Sequence, residues 1–85
     1  MSYFVYILKS LKKGTYYTGS TQDLSERIER HNHGRSKYTK TKRPWELVYS
    51  EKFPDRSHAI NREKQIKARK SKKFIENLVE RSRQT

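Results

Sequence analysis

Two strand-forming runs stand close together at the start of this chain, and they restrict its fold more than any other feature. Tyr3 to Lys9 and Thr15 to Ser20 are both rich in aromatic and β-branched residues, which suit a pleated, half-buried surface. Between them, Ser10-Leu11-Lys12-Lys13-Gly14 is polar and ends on glycine, the composition of a hairpin connection. Side chains alternate along a strand. Phe4, Tyr6 and Leu8 therefore share one face of the first strand, and Thr15, Tyr17 and Gly19 share one face of its partner. A hairpin brings Tyr6 and Tyr17 close. Either tyrosine taken singly reads as packing.

Helical and strand patterns follow in turn. Asp23 with Glu26 three residues later has the form of a capping box, and the helix it starts runs to about Asn32, where Gly34 stops it. Leu24, Ile28 and His31 fall on one side of it, with Arg27 flanking. Arg35 to Arg43 is a basic loop without periodicity, closed by Pro44. Trp45 to Phe53 alternates as a third strand and ends at Pro54. Asp55 or Ser57 caps a second helix to about Lys70, and Ser71 caps a third that carries Phe74, Ile75, Leu78 and Val79. The pattern leaves open whether these are two helices or one kinked helix. No repeat or compositional break divides the chain, so one domain over 1–85 is expected, with a core from about 3 to 79 and a polar tail.

Charge narrows the class of partner. The 85 residues carry 21 Lys+Arg against 9 Asp+Glu, a formal net charge of +12, with only 31% hydrophobic residues. Self-repulsion on so small a domain costs stability, and a polyanion relieves it. Nucleic acid, DNA first, is the expected partner, because Lys and Arg contacts to phosphate dominate its affinity. Arg35, Lys37, Lys40, Lys42 and Arg43 are candidates for backbone contact, with Tyr38 able to stack on a base. Lys64, Lys67, Arg69, Lys70, Lys72 and Lys73 form a second basic run. Either run is also readable as a solvated face, and charge alone does not separate an enzyme from a passive binder. The chain has no cysteine, which excludes disulfides and thiolate metal sites and suits a reducing cytoplasm. The apolar run Tyr3 to Leu8 is too short for a membrane span.

Glu63 is the sharpest single position. At about 100° per residue it points between Ala59 and Ile66 on one side and Ile60 on the other, a carboxylate within an apolar stripe. A buried carboxylate needs a cation or strong hydrogen bonds. A hard divalent metal is one reading; an ion pair with Arg27, Arg62 or a lysine is the other. Arg27 can clamp phosphate and stabilise developing charge, or be a solvated helix arginine. His31 can accept a proton or contact phosphate, or be a half-buried satisfied histidine. A tyrosine base needs help from a metal or cations, since a free phenol has a pKa of about 10. His33 reads as a helix C-cap, and His58 has no motif around it.

Together these residues resemble the GIY-YIG nuclease family. Phe4-Val5-Tyr6 stands where that family has its first triplet, with Phe in place of Gly. Tyr17-Thr18-Gly19 stands where it has the second, with Thr in place of Ile. Gly19-Ser20-Thr21, Leu24, Arg27 and His31 resemble the segment that follows, and Ala59, Glu63 and Lys64-Gln65-Ile66-Lys67 resemble the metal-binding segment. Ala68 replaces a tryptophan that the family often carries. The resemblance spans about residues 3 to 79 and is strongest to small stand-alone bacterial members; similar domains occur in an excision-repair incision nuclease, in homing endonucleases and in a junction nuclease. It implies an α/β (α+β) domain with a central three-stranded antiparallel sheet flanked by helices. It implies a nuclease acting on DNA, in repair or recombination, with a single Mg²⁺ or Mn²⁺ held by Glu63. Arg27 would bind the scissile phosphate, Tyr6 and Tyr17 would position or deprotonate the attacking water, with Tyr6 favoured as base, and His31 would assist. Asn77 is a loose match to a late family asparagine. The alternative is a non-catalytic DNA- or RNA-binding module on the same scaffold. A monomer is expected, with specificity weak or supplied by a protein partner.

Overall fold

The computed structural model describes residues 2–83. Three strands, β1 (Tyr3–Ser10), β2 (Tyr16–Thr21) and β3 (Trp45–Phe53), make one antiparallel sheet in the order β2-β1-β3. Three helices accompany it: α1 (Leu24–Asn32), α2 (Arg56–Arg69) and α3 (Lys72–Arg83). The α+β class and the three-stranded sheet agree with the expectation from sequence. No described helix is long and apolar enough to cross a membrane.

Alternation along β1 builds two half-cores, one on each face of the sheet. Val5 and Ile7 point to one face and pack with Ala59 and Ile66 of α2 and with Phe74, Ile75 and Leu78 of α3. Tyr6 and Leu8 point to the other, against Trp45, Tyr17 and the Leu24 and Ile28 side chains of α1. Burying each such Val, Leu or Ile contributes roughly 1.5–3 kcal/mol. β1 is covered on both faces, which accounts for the unbroken buried stretch from Val5 to Leu8. β2 is an edge strand, paired on one side only.

The helix ends follow their capping residues. The Asp23 carboxylate accepts from Glu26 N at the start of α1, and Asp55, rather than Ser57, accepts from His58 N at the start of α2. The second and third helices are separate. Lys70 adopts a left-handed conformation with φ 47°, which ends α2, and Ser71 Oγ accepts from Phe74 N at 3.1 Å to begin α3. Ala68 is exposed, so the small side chain there opens no gap in the core.

The 35–43 segment departs from the expected plain loop. It carries a short 3-10 turn, Lys40–Lys42, and buries Thr39 to 1% exposure. Hydrogen bonds tie it down: Ser10 Oγ donates to Lys42 O at 2.6 Å, and Trp45 Nε1 donates to Thr39 O at 2.9 Å. Asn32 closes the base of the segment, its side-chain amide accepting from Trp45 N and donating to Trp45 O. These partners lie 6 to 32 positions away in sequence, beyond the reach of a periodicity argument.

Candidate active site

The expected site residues come from both faces of the sheet and meet around the β2 edge. Tyr6 stands opposite Gly19 across the β1–β2 ladder, and its ring lies over that glycine. A Cβ built on Gly19 would come within 2.5 Å of the Tyr6 hydroxyl and 2.7 Å of Cζ. Only a residue without a side chain leaves room for the phenol at this position. Tyr17 packs beside it, ring centroids 6.4 Å apart.

A hydrogen-bonded chain runs inward from Tyr6. Its hydroxyl is 3.2 Å from His31 Nε2, and His31 Nδ1 is 2.7 Å from Thr39 Oγ1. The three side chains are 1%, 2% and 1% exposed, so solvent does not compete for these bonds. Two proton arrangements fit. His31 Nδ1–H donates to Thr39 while Nε2 accepts from Tyr6, or Thr39 donates to Nδ1 while Nε2–H donates to Tyr6. The Tyr17 ring lies 4.8 Å from the imidazole, centroid to centroid, and 6.3 Å from Trp45 in an edge-on arrangement, closing the cluster.

The electrostatics keep this chain neutral. Burial, and then the neighbouring Tyr17, push the Tyr6 phenol well above its ordinary value; Arg27 pulls it back by its charge and by a hydrogen bond, and Glu63 adds a lesser upward push. Burial pulls the His31 imidazole below 6.5, and the positive charges of Arg27 and Arg30 pull it further. Both effects follow from placing charge in a poorly solvated site next to like charge.

Arg27 leaves α1 towards the same place. Its Nε is buried without a hydrogen-bond acceptor among the described residues, and Glu26 Oε2 lies 3.9 Å away. A guanidinium with an unused N–H suits an incoming anion.

Glu63 reaches the β2 edge from the opposite face. Its side chain is 20% exposed. Oε1 accepts from Ser20 Oγ at 2.7 Å, and Oε2 accepts from Lys67 Nζ at 2.7 Å. Arg62 turns away and pairs with Glu51 at 3.1 Å. The expected ion pair is therefore made by a lysine, one helical turn on. No group of three His, Cys, Asp or Glu side chains converges on a point among the described residues. A cage made wholly of protein ligands is not available at Glu63. The donor set does fit a Mg²⁺-like ion that takes one carboxylate and keeps water and phosphate oxygens as its other ligands. Each carboxylate oxygen retains lone-pair capacity beyond its present bond.

Three further side chains hold the cluster in place without having been assigned a role from sequence: Thr39, Ser20 and Lys67. Lys67 was legible as an i,i+4 partner of Glu63; Ser20 and Thr39 were not, because their partners lie 43 and 8 residues away. The remaining candidates sit apart from the cluster. Lys37, Tyr38 and Lys40 are exposed, Tyr38 at 83%. Arg35 is exposed, Lys42 half-buried, and the Arg43 guanidinium lies over Gly34. Asn77 is exposed on α3, and none of the cluster's hydrogen bonds reaches it. His33 is the C-cap of α1, and His58 binds the Asp55 carboxylate at the α2 N-terminus.

The profile of the GIY-YIG catalytic domain matches residues 2–77. The chain belongs to the GIY-YIG family. UPF0213 proteins of Staphylococcus aureus strains Mu3 and N315 are each 43% identical to this GIY-YIG domain over 81 residues, covering 94% of it and 98% of their own length. A UPF0213 protein of Bacillus halodurans, solved in solution by NMR, superposes with a TM-score of 0.58 at 38% identity, over 94% of this chain and 84% of that one. The GIY-YIG domain is of nuclease type and is associated with nucleic acid.

Proposed function

We propose that this GIY-YIG domain is an endonuclease that hydrolyses DNA phosphodiester bonds in repair or recombination, as a monomer in the cytoplasm. What supports it is the meeting of Tyr6, Tyr17, Arg27, His31 and Glu63 at one edge of the sheet, coupled through the Tyr6–His31 hydrogen bond at 3.2 Å and through the fields of Arg27 and Glu63 on Tyr6.

In this reading Tyr6 stays protonated at neutral pH, because burial raises its phenol. It acts as a relay. Its oxygen takes a proton from the attacking water as its own proton passes to Nε2 of neutral His31. The imidazole is oriented for this by Thr39 at Nδ1. The water oxygen bonds to phosphorus as the bond to the leaving oxygen breaks; that oxygen departs as an alkoxide and takes a proton from solvent, and His31 returns its extra proton to solvent through Tyr6 to close the cycle. Arg27 stabilises the charge that grows on the phosphoryl oxygens, and Tyr17 orients the phosphate. Glu63 would hold one Mg²⁺ or Mn²⁺, with Ser20 fixing its Oε1; such an ion supplies Lewis-acid stabilisation to phosphate oxygens.

The test is a panel of single-stranded, branched and duplex DNAs incubated with Mg²⁺ or Mn²⁺. Cleavage is expected, and Glu63→Ala is expected to abolish it while circular dichroism and thermal midpoint show a folded protein. A wild-type protein that cuts nothing in the panel sinks this reading. One observation favours the non-catalytic alternative: Lys67 Nζ pairs with Glu63 Oε2 at 2.7 Å, which gives the carboxylate a structural partner within its own helix. In that case Glu63→Ala leaves nucleic-acid binding unchanged or tighter, and binding falls steeply with salt.

A further inference from the structure

The seam between β2, α2 and α3 opens beside the site into a cavity of about 420 Å³. Tyr16, Tyr17, Ile66 and Ile75 supply an apolar lining, and Lys67, Lys70 and Lys72 stand around it. We propose that this cavity is a nucleobase subsite, holding the base of the nucleotide next to the scissile phosphate. The proposal rests on the nuclease reading above and names how that site would hold its substrate.

Position is the first argument. Lys67 connects the two places: its Nζ is 2.7 Å from Glu63 Oε2 and 6.0 Å from the centroid of the Tyr17 ring. Tyr17 is shared, one of its surroundings being the imidazole cluster and the other this cavity. A strand laid with one phosphate at Glu63 brings the next nucleotide to the cavity mouth.

Chemistry is the second. The volume lies within the roughly 300–1,000 Å³ usual for small-molecule sites. An apolar floor with tyrosine walls takes the flat face of a base, and the lysines take the phosphates on either side. Lys70 is held at the break between α2 and α3 in its left-handed conformation, and Lys72 opens α3, so both lysines sit on defined backbone. A base paired within a duplex does not reach such a cavity; it must be unpaired or turned out of the stack. The subsite therefore selects for an unpaired nucleotide at one position.

The test is binding in EDTA, measured by fluorescence anisotropy with a short single-stranded DNA in which one abasic site is walked through the sequence. The wild-type protein is expected to lose about tenfold in affinity at one position, the scale of one lost base stack, and much less at the others. Thr15 lines the mouth and is exposed just before β2; Thr15→Trp fills the opening and is expected to flatten that profile. An NMR titration of wild-type protein with deoxyadenosine monophosphate needs no variant, and should shift the amides of Tyr16, Thr18, Ser71 and Ile75. A uniform abasic penalty, a profile unchanged by Thr15→Trp, or monophosphate shifts outside the cavity overturns the subsite. The chelator separates the two readings: position-specific binding without any cleavage in the panel would sink the nuclease and keep the subsite.

Discussion

At the scale of single residues, two side chains explain why the site has its shape. Gly19 is required by contact, since its neighbour is the Tyr6 phenol at a distance no Cβ tolerates. Gly19→Ala is expected to cost about 1–3 kcal/mol, the usual penalty of overpacking a buried position, with a lower thermal midpoint and loss of cleavage as Tyr6 is pushed off His31. An unchanged midpoint would show that Tyr6 has room to move. Thr39 is the second. It is the partner of His31 Nδ1, and Thr39→Val removes that bond with little change of shape, leaving a buried nitrogen unpaired at about 1–3 kcal/mol.

The same pair sets the pH response. Burial, Arg27 and Arg30 hold His31 below 6.5, so the neutral imidazole that the relay needs persists into mildly acidic solution. The acid limb of kcat is expected below 6.5, and Arg30→Gln is expected to move it upward by removing a positive charge. Thr39→Val is expected to lower kcat by about tenfold or more, within the range of a lost general acid–base contribution, with KM little changed. A stability loss with kcat intact would make Thr39 purely structural. Stability itself should follow the linkage sign for a histidine whose folded value is depressed. The unfolded chain binds the proton more readily, so stability falls as the pH drops from about 6.5 towards the folded value.

At the scale of elements, the α2–α3 break decides where the lysines stand. Lys70 occupies a left-handed conformation that glycine adopts without strain. Lys70→Gly is expected to keep or raise the thermal midpoint while weakening binding to single-stranded DNA. A fall in midpoint would mean that the Lys70 side chain stabilises the break by contacts of its own. The strands and caps were legible because their causes are local. β-branched runs, an Asp three residues before a free backbone N–H, and Pro44 and Pro54 at the ends of β3 act over a few residues. The 35–43 segment was not legible, because its order comes from Ser10, Asn32, Trp45 and His31.

At the scale of the whole molecule, a +12 charge on 85 residues works against compactness. Raising ionic strength from about 0.01 M to about 0.15 M shortens the screening length from roughly 30 to roughly 8 Å. The thermal midpoint is expected to rise over that range, and a flat response would show that the 9 acidic residues already compensate the basic ones locally.

The sequence by itself determined the three strands, the start of the first helix, the basic surplus and the family, because periodicity, capping and motif spacing are written in neighbouring residues; the α2 cap and the break before α3 needed the structure. The sequence also marked Glu63 as a carboxylate in an apolar stripe. The partner of that carboxylate was decided only in three dimensions. Tyr6 lies on the α1 face of the sheet and Glu63 comes from α2 on the other; both reach β2, an edge strand, from opposite faces. Gly19 leaves space for the phenol on one face, and Ser20, the next residue and therefore pointing to the opposite face, holds the carboxylate.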